Sequence, residues 1–181
     1  MNVAEQLVSQ LIDAGVHRVY GIVGDSLNPI VDAIRKSGGS KKGGIDWVHV
    51  RHEEAAAFAA AAEAQLTGKL AVCAGSCGPG NLHLINGLYD AQRSAAPVLA
   101  IASHIPSVQI GQMYFQETHP DRLFNECSVY NEMISSAEQA PRVVNAAIRH
   151  AVELSGVSVI SLEGNFSFTE IRAFPAPRIE P

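Results

Sequence analysis

Short runs rich in β-branched residues alternate with stretches of helical period along almost the whole chain, and this alternation restricts the fold more than any other feature. Strands are expected at Arg18–Val23, Asp46–Val50, Lys69–Ala74, Pro97–Ala102, about Tyr130–Ile134 and Val157–Leu162. Helices are expected near 2–14, 26–36, 52–67, 79–92 and 141–154. In the first, Val3, Leu7, Val8, Leu11 and Ile12 form an apolar stripe that Gly15 ends. In the last, Val143, Val144, Ala147, Ile148, Ala151 and Val152 recur at helical spacing, Pro141 suits the first turn, and Gly156 stops it. Strands separated by helices pair in parallel, because a parallel connection needs a crossover. The expected fold is therefore α/β: an open, doubly wound, mainly parallel sheet of about six strands with helices on both faces. Sheets of this kind bind ligands beyond the carboxyl ends of their strands.

The 181 residues suffice for one well-packed domain. Only 17% are charged, against about 25% in an ordinary soluble chain, so part of the surface is expected to lie against partners or a further domain. A net charge of −5, with Lys41-Lys42 as the one basic pair of note, disfavours nucleic acid. No run approaches the 18 or so apolar residues of a membrane span. The first helix carries Glu5 and Asp13 with no basic start, unlike a signal peptide. The three cysteines, Cys73, Cys77 and Cys127, do not form a disulfide framework, and a cytoplasmic setting is the default expectation. Residues 37–44 read as an exposed turn, and 104–129 as the least regular stretch, where loops are often functional. Pro175, Pro177 and Pro181 suit an extended linker, so the domain is expected to span 1–170 and a linker to begin at 171–181.

Three strand-to-helix turns are candidates for chemistry. Gly21–Ser26 follows the first strand, and Asp25 or Ser26 there also suits a helix cap. Arg51-His52-Glu53-Glu54 opens a helix in which Ala55, Ala56, Ala57, Ala59, Ala60, Ala61, Ala62 and Ala64 are small on every face. Such a helix is expected to be buried all round, with a partner approaching closely. Acids in a first turn are favoured by the helix dipole, so Glu53 and Glu54 also have a purely structural explanation. Gly75–Asn81 contains Gly78 and Gly80, which let backbone approach a ligand. As a dinucleotide fingerprint it is weak, since His83 stands where a third glycine belongs and no acid follows about 20 residues on. Cys73, Cys77 and His83 match no common zinc spacing, so no metal site is expected. Among the seven histidines only His52, beside Glu53, is expected near a site.

Taken together, these turns resemble the thiamine-diphosphate enzymes that act on 2-oxo acids. Arg51–Ala59 is similar to the family's His-Glu segment, and Gly21–Asp25, Gly78-Pro79-Gly80 with Asn86-Gly87, and Tyr114–Glu117 follow in family order. The resemblance covers about residues 4–164. Within the family the chain resembles the bacterial pyruvate oxidases, including the quinone-linked pyruvate dehydrogenases, through Ala71–Ala91, Pro97–Pro106 and Gly111–Pro120. Acetohydroxyacid synthases share a similar Phe-Gln-Glu, so acetolactate synthesis is the enzymatic alternative. The tandem histidine usual in pyruvate decarboxylases is missing here.

The resemblance implies a pyrimidine-binding domain in which Glu53 is the catalytic carboxylate, hydrogen-bonding the protonated ring nitrogen of the cofactor's aminopyrimidine. It implies that Gly24, Asp25, Gly78, Pro79, Gly80 and Asn86 lie near the cofactor and that Phe115 and Gln116 line the substrate side. Pyruvate is the implied substrate, with FAD and Mg2+ as further cofactors of the whole enzyme. The family's Gly-Asp-Gly segment for diphosphate and magnesium is absent, since Gly24-Asp25 continues with Ser26. The diphosphate and flavin are thus expected on separate domains, and the site between subunits of a homo-dimer or homo-tetramer. The chain alone is expected to be inactive, and a membrane link is expected only through a C-terminal segment outside it. A stand-alone binding or assembly module is the non-enzymatic alternative.

Overall fold

Asn2 starts the first helix because its short side chain can reach back into the turn. Its Oδ1 accepts from the Glu5 N–H at 2.8 Å, and Glu5 Oε2 accepts from the Asn2 N–H at 3.1 Å, closing a capping box on α1 (Val3–Asp13). The computed structural model describes residues 1–164 and 166–171. Apart from Ile171, the expected linker at 171–181 lies outside the described residues.

Six strands follow in alternation with helices: β1 (Arg18–Gly21), α2 (Asn28–Lys36), β2 (Asp46–His49), α3 (Glu53–Thr67), β3 (Ala71–Gly75), α4 (Pro79–Arg93), β4 (Val98–His104), the single turn α5 (Pro120–Leu123), β5 (Tyr130–Met133), α6 (Ala140–Glu153) and β6 (Val157–Glu163). All pair in parallel in the order β2-β1-β3-β4-β6-β5. The open, doubly wound sheet expected from the alternation is therefore present. From β1 the chain steps outward to β2 and returns on the other side to β3. That reversal opens a crevice at the carboxyl ends of β1 and β3, where ligands bind in sheets of this kind.

Side chains alternate across the sheet as its pleat requires. Val72, Leu99, Ile101 and Ile160 face α1, α2 and α6, packing with Leu7, Leu11, Ile30, Ile34 and Ile148. Ala71, Cys73, Val98, Ala100 and Ala102 face α3 and α4, against Ala57, Ala60, Ala61, Leu84 and Leu88. Helices α3 and α4 lie close because Gly87 has no side chain: a Cβ there would stand 2.5 Å from Ala57 Cβ.

Three local expectations change. The first strand ends at Gly21 rather than Val23, because the chain turns away there and Asp25–Leu27 form a 3-10 turn leading into α2. The segment 37–44 is anchored as well as exposed: Ser40–Lys42 form a 3-10 turn, and the Ser40 N–H donates to Asp46 Oδ1 at 3.0 Å. Helix α3 is not buried on every face within this chain. Ala56, Ala57, Ala60, Ala61 and Ala64 are buried, but Ala55, Phe58, Ala62 and Leu66 are exposed. Small residues on all sides permit close approach; they do not by themselves supply a partner on each.

Candidate functional site

Glu53 is the first residue of α3, and its position follows from the turn before it. His52 is the N-cap, with extended backbone, and its Nδ1 accepts from the Glu54 N–H at 3.3 Å. Glu53 is thereby turned inward and is 7% exposed, the one buried carboxylate among the described residues. Its Oε2 lies 3.0 Å from His83 Nδ1 on the second turn of α4, so that nitrogen carries the proton the carboxylate accepts. The His83 ring stacks on His52 with centroids 4.2 Å apart. Glu54 points elsewhere: it is half-buried and accepts from Nδ2 of the exposed Asn86. The two adjacent acids thus separate into a buried one paired with a histidine and one on the helix surface.

The turn after β3 supplies the opposite wall. Gly78 adopts φ +70°, and a Cβ there would lie 2.9 Å from Gln116 Cα, so only glycine meets both demands. Pro79 follows as the first residue of α4, and Gly80 brings its backbone beside Glu53: a Cβ on Gly80 would be 3.2 Å from Glu53 Oε1. A Cβ on Gly24 would run into Ser76 Oγ.

Hydroxyls tie the ends of β1, β3 and β4 together. Ser26 Oγ accepts from the Cys77 N–H at 3.0 Å and lies 2.9 Å from Ser76 Oγ and 2.7 Å from Ser103 Oγ. Ser103 Oγ donates to the Gly75 carbonyl at 3.1 Å, and Asn81 Nδ2 donates to the Ser103 carbonyl at 2.8 Å. Each hydroxyl in this set has a partner, which holds the three turns in one geometry.

The irregular segment after β4 closes the far side. Glu117 organises it: its Oε1 accepts from the Gly111 N–H at 2.6 Å and its Oε2 from the Tyr114 N–H at 3.2 Å. The Gly111 N–H holds the Glu117 carboxyl below the usual carboxylate range; burial opposes it and the Tyr114 N–H adds to it. Gln116 is brought to the crevice, where a cavity of about 280 Å³ is lined by Asp25, Ser26, Cys77, His104, Tyr114 and Gln116, among others. Phe115 points outward, 80% exposed, and does not line that cavity.

Gly24, Glu53, Gly78, Gly80 and Gln116, expected to share a site, therefore meet around one crevice, with Asp25 at its cavity and Pro79 on its wall. Asn86 and Phe115 face outward within this chain. Three groups escaped the sequence reading. His83 is one, although Gly80, His83 and Gly87 follow at i, i+3 and i+7 and so share the face of α4 turned to α3, which was a usable signal. The serine set and His104 are the others: the serines meet, and His104 joins Ser26 on the cavity lining, only through the register of separate strands. No group of three side chains able to hold a metal ion occurs among the described residues. No helix among them is long and apolar enough to cross a membrane.

Residues 1–123 match the family model described as "Thiamine pyrophosphate enzyme, N-terminal TPP binding domain". An uncharacterised 42.6 kDa protein of Pseudomonas amyloderamosa is 62% identical over 174 residues, covering 96% of this chain and 43% of that protein. Pyruvate oxidase of Lactiplantibacillus plantarum is 40% identical over 159 residues, covering 88% of this chain and 26% of the enzyme. The large subunit of acetolactate synthase isozyme 2 of Escherichia coli is 36% identical over 147 residues, covering 81% and 26%. The chain thus spans less than half the length of these relatives. With the crevice at the sheet's reversal and the buried acid at its edge, the match has one reading: this chain belongs to the thiamine pyrophosphate enzyme family, as its N-terminal TPP-binding domain.

Proposed function

We propose that residues 1–170 are the pyrimidine-binding half of an active site that converts pyruvate and water to acetate, carbon dioxide, two protons and two electrons. FAD, assigned to a domain outside this chain, would supply the route for the electrons to a quinone or another acceptor. The buried Glu53 carboxylate, set beside the bare backbone of Gly80, is the observation that carries this reading. A flat, nitrogen-rich ring suits such a wall, because the carboxylate accepts from a protonated ring nitrogen while the glycine leaves room for the ring plane.

In this reading Glu53 holds the proton of the pyrimidine ring, and His83 keeps the carboxylate in one orientation through the bond at 3.0 Å. Gly24, Asp25, Gly78, Pro79 and Gly80 form the cofactor side, with Asn86 positioning α3 through Glu54. Gln116 and Phe115 serve the substrate side, Phe115 only once a second chain covers it. Bound thiamine diphosphate supplies the electron sink for loss of carbon dioxide. The diphosphate, Mg2+ and FAD are assigned to other domains, and a second copy completes the site in a homo-dimer or homo-tetramer. The three free cysteines suit a reducing, cytoplasmic setting.

The test is product analysis of the natural protein supplied with pyruvate, thiamine diphosphate, Mg2+, FAD and an artificial electron acceptor. Acetate formed in step with acceptor reduction is the expected result. Acetolactate formed without an acceptor would replace this reading with the second one, which Phe115-Gln116-Glu117 and the acetolactate synthase relative favour. Formation of neither product would overturn both.

A further inference from the structure

The cavity that Ser26 and Gln116 line presents a titratable side chain for which the proposed function has no use. His104 is the last residue of β4, is 3% exposed, and lines the cavity. Its Nδ1 is closed to solvent and has no hydrogen-bond partner among the described residues; the same is true of Gln109 Oε1 on the same cavity wall. Buried polar atoms are nearly always paired. Seven other such atoms among the described residues are unpaired too, so what sets this pair apart is that both side chains line the cavity, where a bound molecule could meet them. The groups available there to donate are the His104 imidazole, the carboxamides of Gln109 and Gln116, and the Tyr114 hydroxyl. Asp25, the one side chain of fixed charge lining the cavity, is exposed.

We propose that His104 binds the carboxylate of a small 2-oxo acid and takes up a proton as it does so. The inference rests on the function proposed above and names the residue that reads the acid end of its substrate. Burial pushes the free imidazole below the usual histidine range, and Glu163 on β6 with Glu117 and Asp121 from the segment after β4 pull it the other way. His119 pushes it further down, and Asp25 places a negative charge on the cavity lining. A ligand carboxylate at hydrogen-bond distance adds a stronger favourable charge than any of these, since it stands in direct contact and displaces solvent. The imidazole is then neutral without ligand and cationic with it. Ligand binding is thereby coupled to proton uptake.

The test is titration calorimetry of oxamate, an unreactive pyruvate analogue, into the natural protein loaded with thiamine diphosphate and Mg2+. Buffers of different ionisation heat between about pH 6 and 8 report the proton. For the wild type we expect proton uptake, with affinity falling as pH rises, by up to about tenfold per unit. His104→Leu should weaken oxamate by about ten- to a hundredfold. His104→Gln should recover part of that loss through its amide donor, yet show neither proton uptake nor the pH dependence. Should the leucine variant fail to fold, the glutamine variant decides alone, because loss of proton uptake cannot come from packing. Unchanged proton uptake in His104→Gln overturns the role of His104 and leaves the proposed function standing. A wild-type protein that binds no oxamate at all overturns the proposed function, and this inference with it.

Discussion

The two faces of the sheet are packed with different proportions of large and small side chains. Against α1, α2 and α6 lies a core of Leu7, Leu11, Ile30, Ile34, Leu99, Ile101 and Ile160, large branched side chains that remove much apolar area from water. Against α3 and α4 the sheet offers Ala71, Cys73, Ala100 and Ala102 beside Val98, and the helices answer with Ala57, Ala60, Ala61 and Gly87, with Leu84 and Leu88 as the large side chains among them. Small on small buries less area per residue but brings backbones closer. The first face holds the domain together. The second sets the distance between the start of α3, which carries Glu53, and the second turn of α4, which carries His83. A site that depends on a 3.0 Å contact between two helices needs that closeness more than it needs buried area.

The largest effect should come from the chemistry at the end of the small-residue face. Glu53→Gln keeps the shape and a hydrogen bond to His83 but removes the charge. In the natural protein it should slow exchange of the thiazolium proton by about 10²–10⁴-fold, as loss of an acid–base group does, with the unfolding transition unmoved. Exchange at the wild-type rate would show that the carboxylate is structural.

The two faces should then respond differently to substitution. Leu11→Ala leaves a cavity in the large-residue core and should destabilise the domain by about 2–5 kcal/mol, with cofactor exchange per folded molecule nearly unchanged. Gly87→Val puts atoms where Ala57 already stands and should cost about 1–3 kcal/mol of stability. It should also reduce cofactor exchange in the molecules that do fold, because α4 must move with His83. Denaturant titration beside exchange measurements separates the two patterns. If both variants lost stability and exchange in proportion, the division of labour between the faces would be wrong.

The smallest effect tests how dry the close-packed face is. Burial pushes the Cys73 thiol up to about 12 and the Cys127 thiol up to about 11, so at pH 8 both stay protonated and unreactive. Alkylation of Cys73 should follow global unfolding, accelerating with denaturant as the whole domain does. Rapid labelling in water, followed by mass spectrometry, would reveal a loose α3–α4 face.

Much of the fold is legible in the sequence, for a simple reason. Strand and helix periods are local, and α1, α6, β3 and β6 each announce themselves through side chains only a few residues apart. The candidate site was legible in part. Gly78 and Gly80 are informative because a sharp turn and a close approach leave a mark in the sequence, whereas Asp25 would read the same in a plain helix cap. The irregular stretch 104–129 offered no period at all. Its order comes from Glu117 clasping two backbone N–H groups, a contact that no spacing rule anticipates.

The sequence by itself determined the class of fold, the order of its elements and the turns at which chemistry could gather, because those depend on neighbours along the chain. Only the tertiary structure decided which of two adjacent acids is buried, which histidine it meets, and that Ser26, Ser76 and Ser103 converge from three separate turns and strands. Those contacts join residues 30 to 77 positions apart, such as Glu53 with His83 and Ser26 with Ser103, and they exist only once parallel register has brought the strand ends together.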